Sequence, residues 1–237
     1  MIKIYKQLWL VDLVLKIYQG VPHLVWNNLE KAKMLKNVFV NLNSDGIEGD
    51  YLEFGVAYGN SLRAALEGEK KSEVKEFNIF RKTRWFYGFD TFDGFQSNDP
   101  NDQHVVWAGN NFNLSYEKVQ KRFRGAPVTL TKIDAQHLVD ENLKRIEYYD
   151  QFKIKTAAAI LFDMDLKAPT LCALIWARPY MQSGTYLLFD EYFGFGGNPD
   201  LGEAGAFKEF LKLNPEIEAI EFQTYGLGGK VFIIRIA

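Results

Sequence analysis

The stretch DYLEFGVAYGNS, residues 50 to 61, has the pattern of a buried strand that turns through glycines into a helix. Gly55 and Gly59 permit a tight turn and let a ligand approach the backbone closely. Their G-x-x-x-G spacing differs from the G-x-G-x-x-G of nicotinamide and flavin binders, and the sequence has no G-x-x-x-x-G-K-[ST] phosphate loop. Glu53 precedes the turn, and a carboxylate there favours a ligand with a positively charged amino group over a pyrophosphate. Turn geometry alone remains the alternative explanation for the two glycines.

The same texture of short apolar runs continues along the chain. Four further runs end in Asp: RWFYGFD (84–90), VTLTKID (128–134), AAAILFD (157–163) and TYLLFD (185–190). Such runs, alternating with helical patterns, predict a parallel sheet covered on both faces. The last two runs, EIEAIEF (216–222) and KVFIIRI (230–236), are separated only by QTYGLGG and predict an antiparallel hairpin at the sheet edge. The expected fold is α/β, with a mostly parallel seven-stranded sheet.

The N-terminal segment differs from the rest, which predicts a helical extension over residues 1–48 followed by a single domain over residues 49–237. A break at GVP (20–22) divides the extension into two helices, and NSDG (43–46) ends the second. Charged residues interrupt the first helix every few positions, so its uninterrupted apolar runs are too short to span a bilayer. We expect its apolar positions to pack against something, for example a second subunit, with a membrane-surface helix as the lesser alternative.

The overall composition is that of a globular protein, with 47% hydrophobic and 24% charged residues in 237. A net charge of −2 gives no electrostatic basis for nucleic acid as a partner. The single cysteine, Cys172, excludes an internal disulfide framework and a cysteine-based zinc cage. A cytoplasmic location is the default expectation.

The acids that end the strands carry the functional signal, because ligands of open parallel sheets bind beyond the carboxyl ends of the strands. Asp90 ends the second run, where a carboxylate can accept hydrogen bonds from both hydroxyls of a ribose. Asp134 would lie near an adenine, or would cap the helix that begins at Ala135, or both. Asp163 and Asp190 end neighbouring strands and are expected to stand side by side.

Together these segments resemble the class I S-adenosylmethionine-dependent methyltransferases, and within them the macrocin O-methyltransferase (TylF-like) family. The similar segments are DYLEFGVAYGNSLRAA (50–65), WFYGFDTFDGF (85–95), LFDMDLKAPTLCAL (161–174) and SGTYLLFDEY (183–192). The similarity extends from about residue 49 to about residue 213. It implies a Rossmann-like class I methyltransferase fold, in which the N-terminal helices precede the sheet.

The resemblance also implies roles for particular residues. The methionine part of S-adenosylmethionine would be held by Glu53, Gly55, Gly59 and Ser61, and Tyr58 would also contact the cofactor. Asp90 would bind the ribose, and the cofactor contacts would be completed by Thr91, Asp134 and Asp163. A divalent metal would bind to Asp163, Asp190 and Glu191.

An oxygen-only set of ligands favours magnesium, or calcium or manganese, over zinc. Such an ion, bound to two vicinal hydroxyls, would orient them and lower the pKa of the acceptor. Asp163 is the first candidate for the base. His104, in the polar loop DPNDQHVVWAGNNF (99–112), is the second. The glycine-rich loop FGFGGNPDLGEAG (193–205) is either a connector or a lid whose aromatic residues contact the acceptor.

The leading hypothesis is a metal-dependent O-methyltransferase that acts on a small hydroxylated molecule. A sugar or glycosylated metabolite of natural product biosynthesis is the favoured acceptor, and a catechol is the close rival. A non-catalytic adenosine-cofactor-binding or scaffold protein is the alternative from another class, and an oxidoreductase comes third.

Overall fold

The computed structural model describes residues 2–94, 114–146 and 152–237, with side chains from residue 9 onward. One seven-stranded sheet organises them. Its strands are β1 (Asp50–Phe54), β2 (Phe86–Asp90), β3 (Val128–Lys132), β4 (Ala157–Phe162), β5 (Met181–Phe189), β6 (Ile217–Tyr225) and β7 (Gly229–Ile236). Their spatial order is β3-β2-β1-β4-β5-β7-β6. Strands β1 to β5 are parallel, whereas β7 is antiparallel to both β5 and β6. The predicted sheet and its terminal hairpin are therefore confirmed.

Helices flank the sheet on both faces. In chain order, the α-helices of the described residues are α1 (Ile2–Gln19), α2 (His23–Ser44), α3 (Asn60–Lys70), α4 (Tyr116–Arg122), α5 (Lys167–Ala177), the single turn α6 (Gly194–Gly197) and α7 (Gly202–Leu213). The central strands are buried on both faces, and every residue of β4 is inaccessible to solvent. This burial explains why the AAAILF run is continuously apolar instead of alternating.

The second N-terminal helix belongs to the core of the sheet. Met34, Leu35, Val38, Phe39 and Leu42 lie on one side of α2 and are all buried. They pack in the same cluster as residues of β1, β2 and α3. The spacing of these apolar residues matches the 3.6-residue period of a helix with one buried face. The second half of the predicted N-terminal extension is therefore part of the core. The boundary between extension and domain at residue 48 remains a prediction.

The first helix, in contrast, exposes large apolar side chains. Trp9, Leu10, Val14 and Ile17 are each more than half exposed. Among the described residues, no helix combines the length and the apolar character that a crossing of the bilayer requires.

Four phenylalanines form a continuous row across the central strands, at or next to their carboxyl ends. In sheet order they are Phe89, Phe54, Phe162 and Phe189, from β2, β1, β4 and β5. Neighbouring rings are stacked, with centroids 4.8, 5.6 and 5.1 Å apart. Each ring is buried. The loops that follow these strands therefore begin directly after a buried layer of stacked aromatic rings.

Candidate functional site

A cavity of about 730 Å³ opens at the carboxyl ends of these strands. The loops after β1, β2, β4 and β5 line it, together with the N-terminal half of α2 and the turn between β6 and β7. The acids after the strands therefore do face one crevice, as the parallel arrangement predicts.

The loop after β1 depends on its two glycines for packing. Gly55 has φ +91°, and a Cβ atom there would lie 1.9 Å from the carbonyl oxygen of Asp163. Gly59 has φ +76°, and its Cβ would lie 2.7 Å from the ring of Phe123. Gly55 lines the cavity together with Tyr58, whereas Gly59 shapes the turn from behind. Both positions favour glycine, because φ is positive at each and an added Cβ would meet the backbone of Asp163 or the ring of Phe123.

Glu53 lies behind the cavity wall. It is fully buried, and its carboxylate accepts hydrogen bonds from the Tyr51 hydroxyl at 2.7 Å and from Ser61 Oγ at 2.8 Å. Ser61 itself lines the cavity. Burial raises the pKa of Glu53 to about 8. In this arrangement Glu53 contacts the cavity through Ser61, and its first effect is to orient that hydroxyl.

Asp90 is held by two backbone amides at the border of the first two loops. One carboxylate oxygen accepts from the N–H of Ala57 at 2.8 Å, and the other accepts from the N–H of Phe92 at 2.6 Å. Asp90 and its neighbour Thr91 line the cavity. Each carboxylate oxygen keeps further acceptor capacity, so the side chain is fixed in place and still able to bind hydroxyl groups.

Asp134 has the capping role predicted from its sequence context, and its place near an adenine stays a prediction. Its Oδ1 accepts from the N–H of Gln136 at 2.9 Å and caps the 3₁₀ turn Ala135–Leu138. The residue also lines the cavity.

The acids after β4 and β5 lie together because Phe162 and Phe189 are paired in register. Asp163 and Asp190 follow these two residues, and Glu191 comes next. One carboxylate oxygen from each of the three acids lies within 4.8 Å of the others. Burial raises the pKa of Asp163 to about 6, against the lowering effect of a nearby lysine, and drives that of Glu191 well above its ordinary value.

That lysine is Lys31, on α2, which was not among the residues predicted from the sequence. Its Nζ donates to Asp163 Oδ2 at 2.7 Å and lies 2.6 Å from Asp190 Oδ2. Burial on its own lowers the pKa of Lys31, but the charges of Asp163 and Asp190 outweigh burial and leave it raised. A signal was present, because Lys31 precedes Met34 and Leu35 by one turn on the buried face of the helix.

Two further buried acids, Asp165 and Glu203, lie next to this group of acids. Asp165, with φ +61°, lies two residues after Asp163. Its pKa is raised to about 8, mainly by burial and secondly by the charge of Asp163. Glu203, in the first turn of α7, is fully buried, and its carboxylate accepts from the N–H of Met164 at 3.3 Å and of Glu191 at 3.0 Å. Glu203 thus ties the two acidic loops together. The sequence marks it only as an acid near a helix N-terminus, which is common at the surface.

This group of acids fits a divalent cation. Ions with metal–oxygen distances of about 2.1–2.4 Å join oxygens up to about 4.2–4.8 Å apart, close to the spacing of the three acids. Within the described part of the chain, Asp190 Oδ1 and Glu191 Oε2 are buried and have no hydrogen-bond partner. Unpaired buried carboxylate oxygens are costly, and a cation would satisfy them.

The remaining predicted residues are placed as follows. His104 lies outside the described residues. Phe193 lines the cavity, whereas Tyr192 packs on Phe189 and Phe232. Phe195, with φ +54°, covers Gly202 at the start of α7.

Comparison with known proteins gives a likeness in structure only. No protein-family model and no curated protein matches the chain. The O-methyltransferase NovP aligns with a TM-score of 0.61 at 18% identity, over 87% of this chain and 79% of its own. CalS11, a calicheamicin methyltransferase, aligns at 0.58 and 22% identity, over 85% and 76%. An O-methyltransferase from Bacillus cereus, in complex with SAH, aligns at 0.51 and 14% identity, over 86% and 80%. The chain therefore has the Rossmann-like class I methyltransferase fold.

Proposed function

We propose that this protein is an O-methyltransferase that uses S-adenosylmethionine and acts on a small hydroxylated molecule. One observation carries the proposal. A single cavity is lined by the glycine loop after β1, by Asp90 after β2 and by the acid group after β4 and β5. Similarity in fold to O-methyltransferases adds support only together with this site, because proteins that share a fold differ in function through their sites.

The cofactor would occupy the side of the cavity nearest β1 and β2. Asp90 would accept hydrogen bonds from the ribose hydroxyls, because two backbone amides already hold its carboxylate toward the cavity. The loop with Gly55, Tyr58 and Ser61 would contact the methionine part, with Glu53 orienting Ser61. Thr91 and Asp134 would lie along the ribose and adenine.

The acids after β4 and β5 would orient the acceptor hydroxyl and remove its proton. Methyl transfer needs the acceptor oxygen aligned with the methyl group and relieved of its proton. Asp163 is the proposed base, with metal ligation as its competing role. Without a bound cation its pKa is about 6, which suits a group that takes up a proton near neutral pH. Asp163, Asp190 and Glu191 would hold a divalent cation, which when bound supplies a lowered pKa at the acceptor hydroxyl. His104 remains the second candidate for the base.

A sugar or glycosylated metabolite is the proposed acceptor. CalS11 is a TDP-rhamnose 3'-O-methyltransferase of calicheamicin biosynthesis, with a TM-score of 0.51 in its apo structure. In this chain, the apolar side chains of Leu24, Phe193 and Leu227 line the cavity with the acids. A wall of this kind suits the apolar face of a sugar ring, while the acids would bind its hydroxyls.

Binding of S-adenosylhomocysteine, measured by thermal shift, tests the proposal. At one hundred times its Kd a ligand adds about 2.7 kcal/mol of stability. For a chain of this size that is a rise in Tm of roughly 5–10 °C. We expect this rise in the wild type and in Asp93→Asn, an exposed control three residues from Asp90. Asp90→Asn should lower the affinity at least ten-fold.

Turnover with S-adenosylmethionine and a nucleotide-linked sugar, with and without magnesium, then tests the acceptor and the metal. The absence of any shift in wild-type Tm at saturating S-adenosylhomocysteine would remove the basis for the assignment. A shift without turnover on any sugar or catechol would favour a non-catalytic binding protein.

A further inference from the structure

The Lys31 ammonium lies where a metal at this site would meet its ligands. It contacts Asp163 and Asp190, which are two of the three proposed metal ligands, at 2.7 and 2.6 Å. The contacted atoms are Oδ2 of each carboxylate. The side chain of Lys31 is only 8% exposed, so water screens this charge little.

Helix α2 is held in place by packing both before and after Lys31. Met34 and Leu35, one turn later, are buried in the core. Asn27, one turn earlier, accepts a hydrogen bond from the N–H of Leu227 at 2.9 Å. A Cβ on Gly226 would lie 2.1 Å from the same Asn27 oxygen, so the turn between β6 and β7 packs closely on α2. The position of Lys31 is therefore set by packing, and not by the acids alone.

The positive charge of Lys31 offsets only part of the negative charge around it. Asp163, Asp190 and Glu191 all contribute to raising the pKa of Lys31. Meanwhile Asp190 Oδ1 and Glu191 Oε2 have no hydrogen-bond partner in the described ranges. The lysine thus contacts one oxygen of each aspartate, whereas Asp190 Oδ1 and Glu191 Oε2 stay unpaired within the described ranges.

We propose that Lys31 is the resident cation of the Asp163–Asp190 pair and that a divalent ion competes with it for these carboxylates. An ammonium and a metal ion on the same two carboxylates repel each other at close range. Metal binding therefore requires Lys31 to move away or the ion to bind weakly. Leu24, Asn27 and Asn28 of the same helix line the cavity, so Lys31 stands on the element that forms this wall.

Direct measurement of Mn²⁺ binding tests this inference, which rests on the metal site of the proposed function. The variants are Lys31→Met and, as control, Lys33→Met, whose side chain is 67% exposed on the same helix. We expect Lys31→Met to bind Mn²⁺ at least ten-fold more tightly than the wild type in electron paramagnetic resonance titrations. Lys33→Met should match the wild type. Added Mn²⁺ should also raise the Tm of Lys31→Met more than that of the wild type.

A second variant covers the case in which Lys31→Met does not fold because it leaves buried acids unpaired. Lys31→Gln keeps a hydrogen-bond donor without the charge and should show the same gain in Mn²⁺ affinity. Equal or weaker binding in the folded variants, or no binding to any of the proteins, would overturn the inference. The shift in Tm with S-adenosylhomocysteine, measured in the same metal-free samples, reports on the proposed function separately.

Discussion

At the scale of single residues, the strand-end acids were predictable and their partners were not. Asp90, Asp163 and Asp190 follow apolar runs, and the sheet brings them to one cavity because parallel strands end on the same side. The role of Glu53 in holding the methionine part of the cofactor stays a prediction, and in the structure its carboxylate accepts hydrogen bonds from Tyr51 and Ser61. Tyr51 lies two residues earlier on the same strand and Ser61 lies in the first turn of α3, and only the packing shows that both hydroxyls reach this carboxylate.

Replacement of Gly55 by Ala should disrupt the first loop. The new Cβ would meet the carbonyl of Asp163 at 1.9 Å, in a backbone conformation with φ +91°. We expect a loss of more than about 3 kcal/mol in the free energy of unfolding, measured in urea. Gly125→Ala is the matched control, with φ +79° and no atom within 4 Å of the new Cβ. It should cost only about 1–2 kcal/mol. Similar losses in both variants would show that the close approach at Gly55 has no energetic weight.

At the scale of elements, both N-terminal helices were predicted from local sequence signals, but they differ in burial. The break at 20–22 and the end at Ser44 agree with the predicted boundaries, since GVP and NSDG are strong local signals. However, α2 packs into the core of the sheet and lines the cavity, whereas α1 exposes its apolar residues. Periodicity predicts that a helix has an apolar face, but not which surface covers that face.

The expectation that the N-terminal helices join two copies of the chain can be tested on α1. Leu10 and Val14 lie one turn apart and are 54% and 55% exposed. If they form such an interface, Leu10→Glu with Val14→Glu should convert a dimer into a monomer, because buried charges in the contact would be unpaired. Light scattering after size-exclusion chromatography measures the mass. A monomeric wild type, or a variant that stays dimeric, would contradict the expectation.

At the scale of the whole molecule, the sheet concentrates buried acids around one cavity. The pKa values of Glu53 and Asp165 are raised to about 8 and that of Asp163 to about 6, in each case chiefly by burial. A group whose pKa is raised on folding binds its proton more tightly in the folded state. Its contribution to stability is full below the unfolded pKa and is lost as the pH rises through the folded pKa.

Glu53 should therefore make the protein less stable as the pH rises from about 4.5 to about 8. Glu53→Gln has no proton to lose, and should reduce the fall in unfolding free energy over this window by an amount on the order of 1–3 kcal/mol. Glu67→Gln, at an exposed position paired with Lys70, serves as the control. Urea unfolding at pH 5, 6.5 and 8 without divalent ions measures the slope. An unchanged slope in Glu53→Gln would contradict the assignment of a raised pKa.

The sequence by itself determined the alternation of strands and helices, the closing hairpin, the glycine turn and the acids at the strand ends. These features are local, because apolar period, turn residues and strand length are all read within a few positions. Only the tertiary structure decided that Lys31 meets Asp163 across 132 residues, and that Glu203 ties the loops after β4 and β5 together. The physical reason is that buried charges take their partners from whichever elements packing brings within reach. Lys31 reaches the acids because the apolar side of α2 is buried against the sheet, a contact that no local pattern specifies.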